Sequence, residues 1–230
     1  LSHSGWGKDW DYIIVHESGH EWFANNITYK DMADMWIHEG FTTYSEGLFV
    51  EYYNGKQAGA EYIIGLRRNI FNVNPLIGPY GVNEDGPGDM YYKGANLLHM
   101  IRQIKGNDDR WRAMLREMNR VYYHKTVTTD DIESFMCVEL GLSLKKVFDQ
   151  YLRTPQVPEL EYTLEKGKLC YRWVNCIDNF DMPVDLIVEG QSLRLYPVAS
   201  EWKSTEVEFK SFEVDDDFYV TVKNVTKQKK

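Results

Sequence analysis

With 230 residues, 43% of them hydrophobic and 27% charged, the chain has the composition of a folded protein and room for one large domain or a medium one with a smaller companion. A formal net charge of −9 repels phosphate backbones and anionic lipid headgroups, and the one dense basic cluster, KQKK at residues 227–230, reads as a solvated tail; this argues against nucleic-acid binding and a membrane-surface role. No apolar run is long enough to span a bilayer, and Cys137, Cys170 and Cys176 lack the CxxC spacing of a zinc ribbon or a redox pair.

Taken in chain order, residues 11–26, 36–55, 60–71, 90–106, 108–123, 128–140 and 142–153 repeat apolar side chains at three- and four-residue spacing and predict helices. Gly106 and Asn107 punctuate one junction, Thr128 or Thr129 followed by Asp130 and Asp131 opens the next helix, and Pro155 follows the last. From residue 159 the period changes to two, in segments 160–174, 183–190, 191–198, 205–212 and 218–225, with Gly167, Gly190 and Asp215 to Asp217 at turns. The fold class is therefore α+β: a helical domain over residues 1–154, then a small antiparallel, β-sandwich-like domain over 155–230, joined at RTPQVPEL with its two prolines. Residues 72–90, rich in Gly and Pro and carrying Glu84, Asp85 and Asp89, form a long interruption of the kind that is often functional.

The first predicted helix contains IIVHESGHEWF, residues 13–23. Residues four apart on a helix share a face, so His16 and His20 can offer imidazole nitrogens to one ion, and Glu17, about 100° around the helix, can lean toward that ion's open side without ligating it. A catalytic zinc site takes three protein ligands and keeps one exchangeable position, so a third ligand has to come from elsewhere. Eighteen residues separate His20 from Glu39, enough to end one helix and return the next alongside it. Glu39 begins an otherwise apolar face with Trp36, Phe41, Tyr44 and Leu48, where a carboxylate without a cation would be costly.

HESGHEW, the eighteen-residue spacing to the glutamate of HEGFTTYSE, and YYKGANLLHMIR, three motifs in this order, resemble the aminopeptidase-N-like gluzincin family of zinc peptidases, which includes leukotriene hydrolase. The resemblance covers residues 10 to about 150 and, less specifically, the β segment. It implies a thermolysin-like catalytic domain in which His16, His20 and Glu39 bind zinc, Glu17 is the general base and Tyr91, the first tyrosine of a Y-x-K-G pattern, stabilises the oxyanion. Tyr92 competes for that last role, although neighbouring helical residues point about 100° apart. His38 stands where the family often has asparagine and reads as a supporting or surface residue, while His99 reads as a core histidine.

The resemblance further implies a peptide substrate and an aminopeptidase reaction. The family's Gly-x-Met-Glu-Asn segment, whose glutamate holds the substrate amine, is absent from these residues, so the chain reads as a piece of a longer protein whose N-terminal β domain would supply it; alone it would cleave slowly or not at all. Two other readings stay open: a different hydrolase on the same scaffold, as in the epoxide-opening relative, and a zinc-binding module without catalysis, against which the intact Glu17 argues. An acidic, tyrosine-rich member leans toward an exported, periplasmic or extracellular enzyme, and the compartment stays open.

Overall fold

The computed structural model describes residues 2–226; Leu1 and the KQKK end, residues 227–230, lie outside them. The chain divides into two compact units, Leu1–Pro155 and Gln156–Lys230.

The first unit is helical, with α1 (Tyr12–Gly19), α2 (Trp36–Asn54), α3 (Lys56–Gly65), α4 (Asp89–Lys105), α5 (Asp108–Val121), α6 (Thr129–Leu140) and α7 (Lys145–Arg153). Local chemistry sets most of the boundaries. Asp11 caps α1 by accepting from the Ile13 amide, and Asn107 caps α5 by accepting from the Arg110 amide. Thr128 and Asp131 form a reciprocal capping box on α6, and Gly106 and Gly141 end α4 and α6 in the left-handed conformation that glycine adopts without strain. α5 buries Trp111, Met114 and Met118 along one stripe.

Helix α2 is the centre of this unit, burying Trp36, Ile37, Phe41, Tyr44 and Val50. It packs on α4 through a backbone-to-backbone crossing. A Cβ on Gly94 would lie 3.0 Å from the Gly40 Cα, and one on Gly40 would lie 3.2 Å from the Gly94 Cα and 3.3 Å from the Met90 carbonyl oxygen. Only glycines allow the two helices this approach, and the crossing sets where the start of α4 stands relative to Glu39.

The predicted helix over 11–26 stops short. After Gly19 the chain makes one loose turn over Glu21–Asn26, with Phe23 and Ala24 out of helical conformation, and enters strand β1 (Ile27–Tyr29). β1 pairs in parallel with β2 (Lys125–Val127), Ile27 opposite Lys125 and Tyr29 opposite Val127. That pairing joins segments nearly a hundred residues apart, and Ile27 and Val127 are buried by it. Tertiary burial here overrides a helix-compatible local pattern.

Residues 70–88 form no helix or strand, yet the segment is tied down at several points. The Asp89 carboxylate accepts from the amides of Phe71 and Asn72, the amides of Leu76 and Ile77 donate to the Leu152 carbonyl, the Tyr80 hydroxyl donates to Asp34 Oδ1, and the Gly81 amide donates to Asp31. Asp34 is fully buried and also accepts from the amide and hydroxyl of Thr129.

Lys93 is fully buried on α4, its Nζ donating to the Thr154 carbonyl at 3.0 Å. Burial holds this ammonium well below the usual lysine range, at about 8, with Asp89 opposing the shift only in part. Between pH 8 and about 10.5 the unfolded chain stays protonated at this position while the folded one does not, so stability rises with pH through that window. Urea unfolding of wild type and Lys93→Met at pH 7 and pH 10 should show a wild-type gain on the order of 2–3 kcal/mol that the variant lacks. Equal pH responses would remove Lys93 as the cause.

The second unit contains two sheets. β3 (Glu159–Glu165), β4 (Lys168–Val174), β7 (Lys203–Glu206) and β9 (Thr221–Asn224) form one in the order β7-β4-β3-β9, and β5 (Val184–Val188), β6 (Gln191–Leu195) and β8 (Glu213–Val214) form the other in the order β6-β5-β8. The hairpins β3–β4 and β5–β6 turn on Lys166-Gly167 and Glu189-Gly190, all four residues at positive φ, which matches the twist of two-residue hairpins. All pairings are antiparallel except β3 with β9, which the long intervening connection lets run parallel. Leu160, Leu169, Trp173, Phe180, Val184 and Leu186 fill this unit's core.

Candidate metal centre

Helix α1 presents His16, Glu17 and His20, and α2 runs beside it. The two approach closely because position 19 is glycine: a Cβ there would lie 2.9 Å from Thr42 Cγ2. The approach brings the Glu39 carboxylate, in the first turn of α2, to 3.3 Å from His16 Nε2 and 3.6 Å from His20 Nε2. One donor atom from each of the three residues lies within 4.8 Å of the others, the only such set of His, Cys, Asp and Glu found among the described residues.

The outer nitrogens of both imidazoles are engaged. His16 Nδ1 donates to Glu46 Oε1 at 2.7 Å, and His20 Nδ1 donates to the Phe23 carbonyl at 3.1 Å with the Thr42 hydroxyl 3.2 Å away. With Nδ1 engaged, Nε2 of each ring is the nitrogen that faces Glu39, and a cation binding there would take the place of any proton on it. Burial disfavours a charged His16, but Glu39 and Glu46 outweigh it and push the imidazole up to about 9. The pocket is therefore built to hold positive charge. Two neutral imidazole nitrogens and a carboxylate oxygen, with no thiolate, suit a borderline cation such as zinc in an open, three-ligand site.

Glu17 is exposed and lines the same cleft of about 540 Å³ as His16, His20, Glu39, Tyr91 and Tyr92. Both tyrosines reach the cleft, so the sequence contest between them ends with both in it but differently placed. The Tyr91 ring stacks on His16, with centroids 5.9 Å apart and planes 29° apart. Burial and the neighbouring Glu39 carboxylate push the Tyr91 phenol up to about 12 and keep it protonated at neutral pH. Tyr92 is raised too, by burial and by Glu46 rather than Glu39.

His38 lies outside the cluster: its Nε2 accepts from the Tyr29 amide at 2.9 Å, its ring packs on Tyr29, and burial pushes it down to about 4, so it stays neutral. His99 is a core residue, with the Gln103 amide 3.5 Å from its Nε2. Glu84 and Asp85 are exposed, while Asp89 is buried at the start of α4.

Sequence reasoning did not single out Glu46, Thr42 or Tyr12 and Leu66 of the cleft wall. For Glu46 a signal existed: it lies seven residues, two helical turns, beyond Glu39 and so on the same face of α2.

Residues 6–74 match the Peptidase family M1 domain. The chain is 28% identical over 163 residues to glutamyl aminopeptidase of Bitis rhinoceros, a match over 66% of this chain and 17% of that protein. Its backbone resembles Legionella pneumophila aminopeptidase A solved with aspartic acid, with a TM-score of 0.69, 16% identity and coverage of 92% of this chain and 26% of that one. It also resembles an M1 zinc metallopeptidase from Deinococcus radiodurans solved with a Tyr-Ser-Ala substrate, with a TM-score of 0.56, 22% identity and coverage of 65% and 34%. The chain thus spans about a third or less of each of these proteins. Among the described residues no helix is long and apolar enough to cross a membrane. In its ordered motifs, in its match over residues 6–74 and in its fold, the chain is similar to the aminopeptidase-N-like family of zinc metallopeptidases.

Proposed function

We propose that this chain is the zinc-binding catalytic part of an aminopeptidase that removes N-terminal residues from peptides. Within it, residues 1–154 act as the catalytic domain and residues 155–230 as a small β-sandwich-like companion. The observation that carries the proposal is the convergence of His16 Nε2, His20 Nε2 and a Glu39 carboxylate oxygen at one wall of a cleft that Glu17 and Tyr91 also line.

His16, His20 and Glu39 would hold the zinc, which supplies Lewis acidity and a lowered water pKa in such a site. Glu17, on the solvent-facing side of α1 and free of the ligand set, takes a proton from water in the cleft and returns it to the leaving amine. Tyr91 keeps its proton at working pH and donates a hydrogen bond to the oxyanion as charge develops there. Tyr12, Ile13 and Leu66 supply the apolar wall against which a side chain would rest. The carboxylate that would hold the substrate's ammonium has no counterpart in these residues, and in the full-length protein it would come from a β domain outside them.

The full-length protein should contain about one zinc per copy of this chain and cleave aminoacyl anilides in preference to N-blocked peptides. Equal cleavage of both would defeat the aminopeptidase assignment and favour another hydrolase, and a preparation without bound metal would defeat the zinc site itself.

A further inference from the structure

Behind His16 lies a chain of polar groups that the ligand motif does not include. Glu46 is buried on α2, with Oε1 accepting from His16 Nδ1 at 2.7 Å and Oε2 accepting from the hydroxyl of Tyr62, a fully buried residue on α3. Both oxygens of a carboxylate removed from water are thus engaged, one by a ligand and one by a phenol from a third helix. The neighbouring ligand is served differently, since His20 has only the uncharged Phe23 carbonyl and Thr42 hydroxyl at its outer nitrogen.

We propose that Tyr62, Glu46 and His16 form a positioning relay that fixes one of the two imidazoles and sets how tightly the chain holds its cation. The relay rests on the metal-site reading above. A carboxylate accepting from Nδ1 holds the ring in the tautomer whose Nε2 ligates, and raises the basicity of that nitrogen more than a carbonyl does. Tyr62 in turn orients Glu46. Without its hydroxyl one carboxylate oxygen would be buried with no donor, and the side chain would be free to swing away from the imidazole. Glu39 and Glu46, two turns apart on α2, then act on opposite edges of the same ring: one meets Nε2 and the other Nδ1.

The test is zinc affinity, measured by competition with a chromogenic chelator on the full-length protein, alongside the melting temperature of the metal-free form. Glu46→Gln keeps the volume and one acceptor oxygen but removes the charge, and should weaken zinc binding about 10- to 100-fold. Tyr62→Phe should weaken it in the same direction by less, and it keeps the question open to experiment if Glu46→Gln does not fold. The cobalt-substituted Tyr62→Phe protein should show a shifted visible spectrum, a change that lost packing alone would not produce. Variants with a lower metal-free melting temperature but wild-type zinc affinity would overturn the relay and leave the metal site standing. A wild-type protein that takes up no zinc would overturn both.

Discussion

Glu17→Gln is expected to lower turnover by about two to four orders of magnitude while zinc content stays at the wild-type level. The split between the two readouts follows from where the residue sits. Glu17 is exposed on α1, outside the set of atoms that lie within 4.8 Å of one another, so the proposed metal centre does not draw on its carboxylate. It lines the same cleft as His16, His20 and Glu39, where the proposed mechanism has it take a proton from water. The amide of glutamine keeps the size and loses the proton-accepting oxyanion. Metal analysis and steady-state kinetics on one preparation check this. A variant that turns over at the wild-type rate would remove Glu17 from the mechanism, and one that loses zinc would make it a structural partner of the site.

Gly94→Val is expected to destabilise the fold by on the order of 3 kcal/mol and to reduce activity in whatever fraction remains folded. Even a methyl group at this position would press on the Gly40 backbone at 3.0 Å, and valine adds two further carbons where two helix backbones touch. The strain is relieved only by parting α2 from α4. Tyr91 lies three residues before Gly94 and Glu39 one before Gly40, so the same displacement carries the phenol away from the carboxylate and from His16. Gly88 is the matching control, because a Cβ there meets nothing within 4 Å and Gly88→Ala should unfold like wild type. Urea titrations of the three proteins measure the effect. Indistinguishable midpoints for wild type and Gly94→Val would mean that the crossing is not as tight as its geometry.

The glycines of HEG and YYKG show how much of the site was readable beforehand and what kind of reason lay behind it. Metal chemistry restricts residue type and spacing so strongly that His16, Glu17, His20 and Glu39 stand out in a single sequence. The glycines belong to the same motifs, but their purpose, contact between two helices, appears only once both helices are placed. Glu46 and Tyr62 were harder still. The seven-residue spacing puts Glu46 on the same face as Glu39, but what it meets there, His16 on one side and Tyr62 on the other, appears only once three helices are placed.

The fold divides in a similar way. α5, α6 and the hairpins at Lys166-Gly167 and Glu189-Gly190 were legible because their caps and turns are local. The end of α1 at Gly19 was not, because EWFANN retains helical spacing and is drawn out of the helix by a strand partner at residues 125–127. The parallel placement of β9 beside β3 was hidden for the same reason, since strand order over a long connection leaves no mark on either strand.

The residues of the proposed metal centre and its relay, from His16 through Glu39 and Glu46 to Tyr62, come from one short stretch of chain. Closing the 23-residue loop between His16 and Glu39 carries a length-dependent entropic cost of only about 3 kcal/mol. The proposed ligand set lies wholly upstream of α4 to α7 in the chain. Tyr91, the proposed oxyanion donor, joins it only from α4, beyond the long segment of residues 70–88.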